Sequence, residues 1–263
     1  MKKEIVDCIQ KLVKTIRKKE NIGSGIIRDD VFSILQQNDC TVLYFPLGEE
    51  GEDKCDGCHL RKPVNNEMKQ FVFINTSNTR ERQAFSAAHE LGHIWRIDEQ
   101  LKNEFPDEDI DEEDSINRFA AELLMPDELF QEVMDGFLNN NLDYNGSTLG
   151  VGDFLELIVY LMNYFFVPFK SVVIRFYELG KLSDDDKERI MKYKDSDVVK
   201  EIIKSEQYTR LGIVTKMKSM DNLKEDLALA KELGVISEKK LKNIVEKFDI
   251  QNLDRVNEQD IKF

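Results

Sequence analysis

Apolar residues at Ile5, Val6, Ile9, Leu12, Val13 and Ile16 recur every three or four positions, which predicts an amphipathic helix that ends near Asn21 to Gly25. A second helix, from about Asp29 to Gln37, leads into Thr41-Val42-Leu43-Tyr44-Phe45, where β-branched and aromatic residues predict a strand, and Phe71 to Ile74 predicts another. From Arg80 to Arg96 the chain runs without Pro, and Asn78 with Glu81 three residues on reads as a variant of the capping box. Phe85, Ala88, Gly92 and Trp95 fall on or near one apolar stripe of that helix. Helices are also expected up to the stop at Pro126, from Asp127 to Phe137, and through the strongly apolar Phe154 to Phe166. A loop is expected from Asn139 to Gly152. Beyond Asp184 come helices opened by acids, including Asp221 to Leu233, closed by Gly234, and Ser237 to Phe248. A few strands ahead of many helices indicate an α+β fold, with a small sheet packed on helices.

The helix over residues 80–96 carries His89-Glu90-Leu91-Gly92-His93. Two imidazoles one turn apart with a carboxylate between them form a metal site with its own general base. The chain has three histidines, and two of them fall here; His59 is the third. Gly92 costs about 1 kcal/mol of helix stability against Ala, so a close backbone or metal approach is expected at that position.

A catalytic zinc needs a third protein ligand. The segment from Asp111 to Met125 is rich in acids at its start, and Glu113, Asn117 and Ala121 or Leu124 lie along one face. If that face looks at the first helix, Glu113 is the natural third ligand, and Asn117 one turn later can hydrogen-bond a ligand. Otherwise Glu113 complements the helix dipole and Asn117 is a solvated polar residue.

The His89-to-His93 motif followed by Glu113-Asp114-Ser115-Ile116-Asn117-Arg118-Phe119-Ala120-Ala121-Glu122-Leu123-Leu124-Met125-Pro126 resembles the paired motifs of the ImmA/IrrE metallopeptidases. Ile116 is the one departure, at a position where Ala is usual. The strand Phe71 to Asn75, the helix start Glu81 to Phe85 and the stretch from Phe165 to Gly180 match as well, so the likeness covers roughly residues 1–182. The resemblance implies a zincin-like catalytic domain over residues 1–182, including a helix-turn-helix-like segment near 154–182, followed by a helical C-terminal extension over 183–263. It implies Zn2+ held by His89, His93 and Glu113, with Glu90 as catalytic base and Asn117 supporting a ligand. It further implies an endopeptidase that cuts a regulatory protein, a helix-turn-helix repressor. In that chemistry zinc lowers the pKa of a water to around 7, and Glu90 takes its proton and passes it to the leaving amine. Tyr160, Tyr164 and Arg175 could serve the oxyanion by residue type alone and are left outside the site.

Composition narrows the setting. With 263 residues, 41% of them hydrophobic, the chain can bury one substantial core and a smaller appendage. Lys and Arg number 37 against 51 Asp and Glu, a net charge of −14 that opposes nonspecific nucleic-acid binding and favours a basic protein partner. Residues 98–114 hold ten acids against Lys102, with Pro106 inside, and read as a solvated loop. The charged start Met1-Lys2-Lys3-Glu4 and the lack of a long apolar run lead to the expectation of a cytoplasmic protein without a membrane span. Cys55-Asp56-Gly57-Cys58, with His59 beside it, has zinc-knuckle spacing, but Cys8 and Cys40 supply no second pair, so these read as incidental thiols in a loop. The segment from Phe166 to Gly180 carries only Lys170 and Arg175 on an otherwise apolar helix, which favours packing over reading DNA. Two other functions remain open from the residues: a zinc-containing module that sequesters a regulator without cutting it, and a DNA-binding regulator.

Overall fold

The computed structural model describes residues 1–23, 25–47, 55–64, 66–141 and 149–251. Strands β1 (Cys40–Phe45), β2 (Gly57–Val64), β3 (Glu67–Asn75) and β4 (Ser219–Met220) form one sheet in the order β2-β3-β1-β4. Strands β1 and β3 run parallel with Val42 opposite Val72 and Tyr44 opposite Ile74, while β2 and β3 are an antiparallel hairpin closed between Val64 and Glu67. Side chains alternate across a strand. Val42, Tyr44, Val72 and Ile74 therefore share one buried face. The helices are α1 (Lys3–Lys19), α2 (Asp30–Gln36), α3 (Arg80–Ile94), α4 (Ile97–Glu104), α5 (Glu112–Leu124), α6 (Asp127–Asn141), α7 (Val151–Phe165), α8 (Phe169–Glu178), α9 (Asp184–Met191), α10 (Asp197–Ser205), α11 (Leu223–Glu232) and α12 (Glu238–Lys247). The protein is thus α+β, with a small sheet packed on helices, as the hydrophobic pattern predicts.

Helix α3 packs against the sheet and is sandwiched by α2 and α5. Its buried positions are small: Ala84, Ala87 and Ala88 are fully covered, as is Leu91. Gly92 completes that surface. A Cβ built there would lie 2.9 Å from Ile116 Cγ2 and 3.2 Å from Phe119 Cδ1, so the glycine admits α5, not a metal. The close approach matters because α5 brings the acids of its first turn to the histidines of α3.

Ile116, bulkier than the usual Ala, is what fills the space beside Gly92. Gly92→Ala should gain about 1 kcal/mol of helix propensity but lose about 1–3 kcal/mol to overpacking against a stiff β-branched side chain. We expect net destabilisation in urea unfolding, and no such loss when Gly92→Ala is made in an Ile116→Ala protein and compared with that single variant. A stabilised Gly92→Ala single variant would show that α3 and α5 are not in tight contact.

The structure corrects three local expectations. Residues 98–114 are not one loop, because α4 covers Ile97–Glu104 with Ile97 and Leu101 fully buried; an apolar i, i+4 pair outweighs the surrounding acids. The region of Cys58 and His59 is not a loop but the edge strand β2, which its mostly exposed, charged sequence concealed. Asn78 does not cap α3: Thr79 is the N-cap residue, the Asn78 amide donates to Asp56 Oδ1 at 2.9 Å, and Glu81 accepts from the Gly212 backbone N–H at 3.2 Å. Of the loop expected at 139–152, residues 142–148 lie outside the described residues, while α6 extends to Asn141 and α7 begins at Val151.

The segment after α10 returns to the start of α3. Arg80 donates its backbone N–H to Ile213 O at 2.8 Å, Thr76 Oγ1 donates to Met217 O at 2.7 Å, and β4 pairs with β1 through Leu43 and Met220. Helix α8 turns Phe169, Val172, Val173 and Phe176 into the core. Among the described residues no single helix is long and apolar enough to cross a membrane.

Candidate metal centre

Helix α3 puts His89 and His93 on one row, since residues four apart stack on a helix face. Their Nε2 atoms are 3.1 Å apart. From the first turn of α5, Glu113 reaches both, with Oε2 3.3 Å from His89 Nε2 and Oε1 3.6 Å from His93 Nε2. These donor atoms all lie within 4.8 Å of one another. Two ligands each about 2.1 Å from a tetrahedral zinc stand roughly 3.4 Å apart. The three separations bracket that figure, so the residues fit a metal ion of this size.

The other ring nitrogens are also engaged, which fixes the lone pairs. His89 Nδ1 lies 3.0 Å from Asn117 Oδ1, an arrangement that places the proton on Nδ1 and leaves Nε2 free to ligate. His93 Nδ1 faces Glu112 Oε1 at 3.5 Å. Burial, more than any neighbouring charge, holds the His89 imidazole below its ordinary value and so keeps it in the neutral form that binds metal. Asp111 caps α5 by accepting the Asp114 backbone N–H at 2.8 Å, which orients the acidic turn toward α3. Glu113 and Asn117 both lie on the side of α5 that faces α3. The sequence missed Glu112, because a spacing argument that points Glu112 away from Glu113 does not register that both flank the same histidine.

Glu90 lies beneath this cluster and is 3% exposed. Its Oε2 has no hydrogen-bond partner among the described residues. A Cβ on Gly57 would come within 2.8 Å of Glu90 Oε1, so the absence of a side chain there is what lets β2 close over the carboxyl. Burial first, and the Glu113 charge second, push the Glu90 carboxyl up to about 8. A nearby cation lowers such a value again and restores the carboxylate.

The α3-facing row of β2 follows the helix outward. Gly57 meets Glu90, the His59 ring stacks 6.4 Å from His93, and Arg61 lines a cleft of about 260 Å³ with Met68, Gln70, His93, Ile94 and Arg96. His59 does not join the triad; its Nε2 pairs with Gln70 Oε1 at 3.0 Å. Arg175 is fully buried in an ion cluster with Glu122, Asp127 and Glu178, and Tyr160 packs its ring on Phe137 at 4.6 Å and on Tyr164 at 6.0 Å.

Residues 35–177 match the peptidase family model described as the IrrE N-terminal-like domain, a span that contains all of the residues of this site. A search among curated proteins finds no match.

Proposed function

The chain belongs to the IrrE N-terminal-like peptidase family, a family of metallopeptidases, and on that footing we propose that it is a zinc-dependent endopeptidase acting on a regulatory protein. The observation that carries this reading is the His89, His93 and Glu113 cluster set over a buried carboxyl with one free oxygen. His89, His93 and Glu113 would hold the ion, which when bound supplies Lewis acidity toward a water and toward the scissile carbonyl. Glu90 takes the proton released as the peptide bond is attacked and hands it to the departing amine. Asn117 holds the His89 ring in its ligating tautomer, while Glu112 stands in a longer contact, 3.5 Å from His93 Nδ1.

For substrate we propose a basic helix-turn-helix repressor, because a net charge of −14 steers basic partners and repels nucleic acid. Cysteines Cys8, Cys40, Cys55 and Cys58 are all free, which suits a cytoplasmic setting. Residues 1–182 would form the catalytic unit and 183–263 a mostly helical extension that also lends β4 to its sheet.

Metal analysis of purified protein tests the site. Wild type should retain one zinc per chain after reconstitution, and His89→Ala or His93→Ala should lose it. Among the acids, Glu113→Ala should weaken zinc affinity most. Glu112→Ala should cost about tenfold, at the low end of the effect of a residue that supports a ligand, because its contact is long and half-exposed. Asp114→Ala should cost least. Equal losses from all three would mean that the acidic turn acts as a diffuse field and that Glu113 is no ligand.

A further inference from the structure

The pair Cys55 and Cys58 is unused by the proposed chemistry, yet it adjoins the base. Cys55 Sγ donates to Gly57 O at 2.9 Å, and the two thiols stand near enough that each acts on the other's titration. The peptide ahead of Gly57 is anchored twice over. Asp56 accepts from Arg82 Nε at 3.0 Å and Nη2 at 2.8 Å and from Asn78, while Asn75 Nδ2 donates to Cys55 O at 3.1 Å. Gly57 in turn rests on Glu90, with no room for even a methyl group between them.

We propose that Cys55 and Cys58 are a redox-modification site, at which a small-molecule disulfide such as oxidised glutathione closes the pair into an intramolecular disulfide that displaces β2 against Glu90 and slows cleavage. One cysteine thiolate attacks the small disulfide, forming a mixed disulfide and releasing one thiol. The second cysteine then displaces the other half, so that two protein thiols are oxidised, one disulfide is reduced to two thiols, and both cysteine protons leave on the released thiols.

Closure brings the sulfurs to about 2.05 Å and removes the Cys55 bond to the Gly57 carbonyl. With Cys55 and Asp56 held by Asn75, Arg82 and Asn78, the adjustment falls on Gly57, which rests on Glu90, and on Cys58 next to it. Burial first pushes both thiols above their ordinary range, and the charge of Glu90 adds to it. Thiols with a raised pKa form thiolate sparingly and leave slowly, so the disulfide should both close and open slowly and respond to a dithiol reductant. Cys40 is a bystander: it is buried, donates to Leu35 O at 3.0 Å and is pushed up to about 11, chiefly by burial.

The effect on cleavage rests on the peptidase reading; closure of the disulfide does not. The full zinc-loaded chain is incubated with reduced or with oxidised glutathione, and its free thiols are counted after denaturation beside its rate of cleavage of the repressor. Free thiols should fall from four to two, with a peptide linking Cys55 to Cys58. The rate should fall by about fivefold or more and recover with dithiothreitol. Cys55→Ser and Cys58→Ser should each cleave at the reduced wild-type rate and ignore the oxidant, whereas Cys8→Ser should still respond. Four persistent thiols, stable glutathione adducts in place of the link, or a linked protein with unchanged rate would each overturn the proposal. If neither redox form cleaves, the peptidase reading and the rate effect fall together, while the thiol count still decides whether the pair closes.

Discussion

Arg175→Met should remove about 3–5 kcal/mol of folding stability, the cost of breaking a buried ion pair from one side. Arg175 is completely covered, and its Nη2 donates to Glu122 Oε2 at 2.5 Å and to Met125 O at 2.6 Å. Asp127 Oδ1 lies 2.5 Å from the same nitrogen, in ion-pair contact though not aligned as a hydrogen bond. Arg118 shares the cluster, pairing with Glu178 and standing 3.6 Å from Glu122. Two guanidiniums thus hold three carboxylates; without Arg175, one remains for all three. Burial already pushes the carboxyls of Asp127 and Glu178 above their ordinary values, and losing a cation raises them further. A carboxyl whose folded-state pKa exceeds its unfolded value binds its proton first in the folded protein. The deficit of the variant should therefore shrink as pH falls from about 7 toward about 5. Urea unfolding at the two pH values checks both points, and a loss below about 1 kcal/mol at neutral pH would show the cluster to be solvated like a surface pair. The cluster joins α5, which carries Glu113, to α6 and α8, so this is a stability device that underlies the site from the far end of the helix.

That role for Arg175 could not be read from the sequence. Ion clusters join residues distant along the chain, here separations of 53 between Arg175 and Glu122 and 60 between Arg118 and Glu178, and no local period announces them. What was legible was local: the stripe of α3, the acid-opened α5 and its stop at Pro126, and the strands with β-branched and aromatic residues. The same locality explains the failures. Strand β2 is polar and mostly exposed, so nothing in Arg61, Lys62 or Pro63 signals a strand until β3 pairs with it; Pro63 fits because β2 is an edge. In α4, Leu101 and Ile97 were outnumbered by three acids, of which Glu99 and Glu104 face water and Asp98 pairs with Lys102. At the site, helical spacing put His89 and His93 on one row and the resemblance pointed to Glu113, whereas Gly57 and Glu112 adjoin them only through tertiary packing.

Glu90→Gln should leave zinc content and folding intact while lowering peptide cleavage by a factor on the order of 10² or more. Glu90 follows His89 by one residue, so it projects about 100° around the helix from the ligand row. It sits beneath the cluster without joining it: among the described residues the cluster of donor atoms comprises His89, His93 and Glu113. Gln preserves the volume that Gly57 accommodates and removes only the proton acceptor. A neutral amide also avoids the penalty that burial imposes on the carboxylate, so the fold has no electrostatic reason to weaken. The assay uses a basic helix-turn-helix repressor with zinc present and a chelator control, and metal content is measured on the same preparations. Cleavage by wild type that a chelator abolishes and Glu90→Gln loses, at equal zinc, identifies the group that moves the proton. If wild type cuts no candidate while both proteins bind one equally well, the enzyme reading gives way to a module that captures a regulator and leaves it whole.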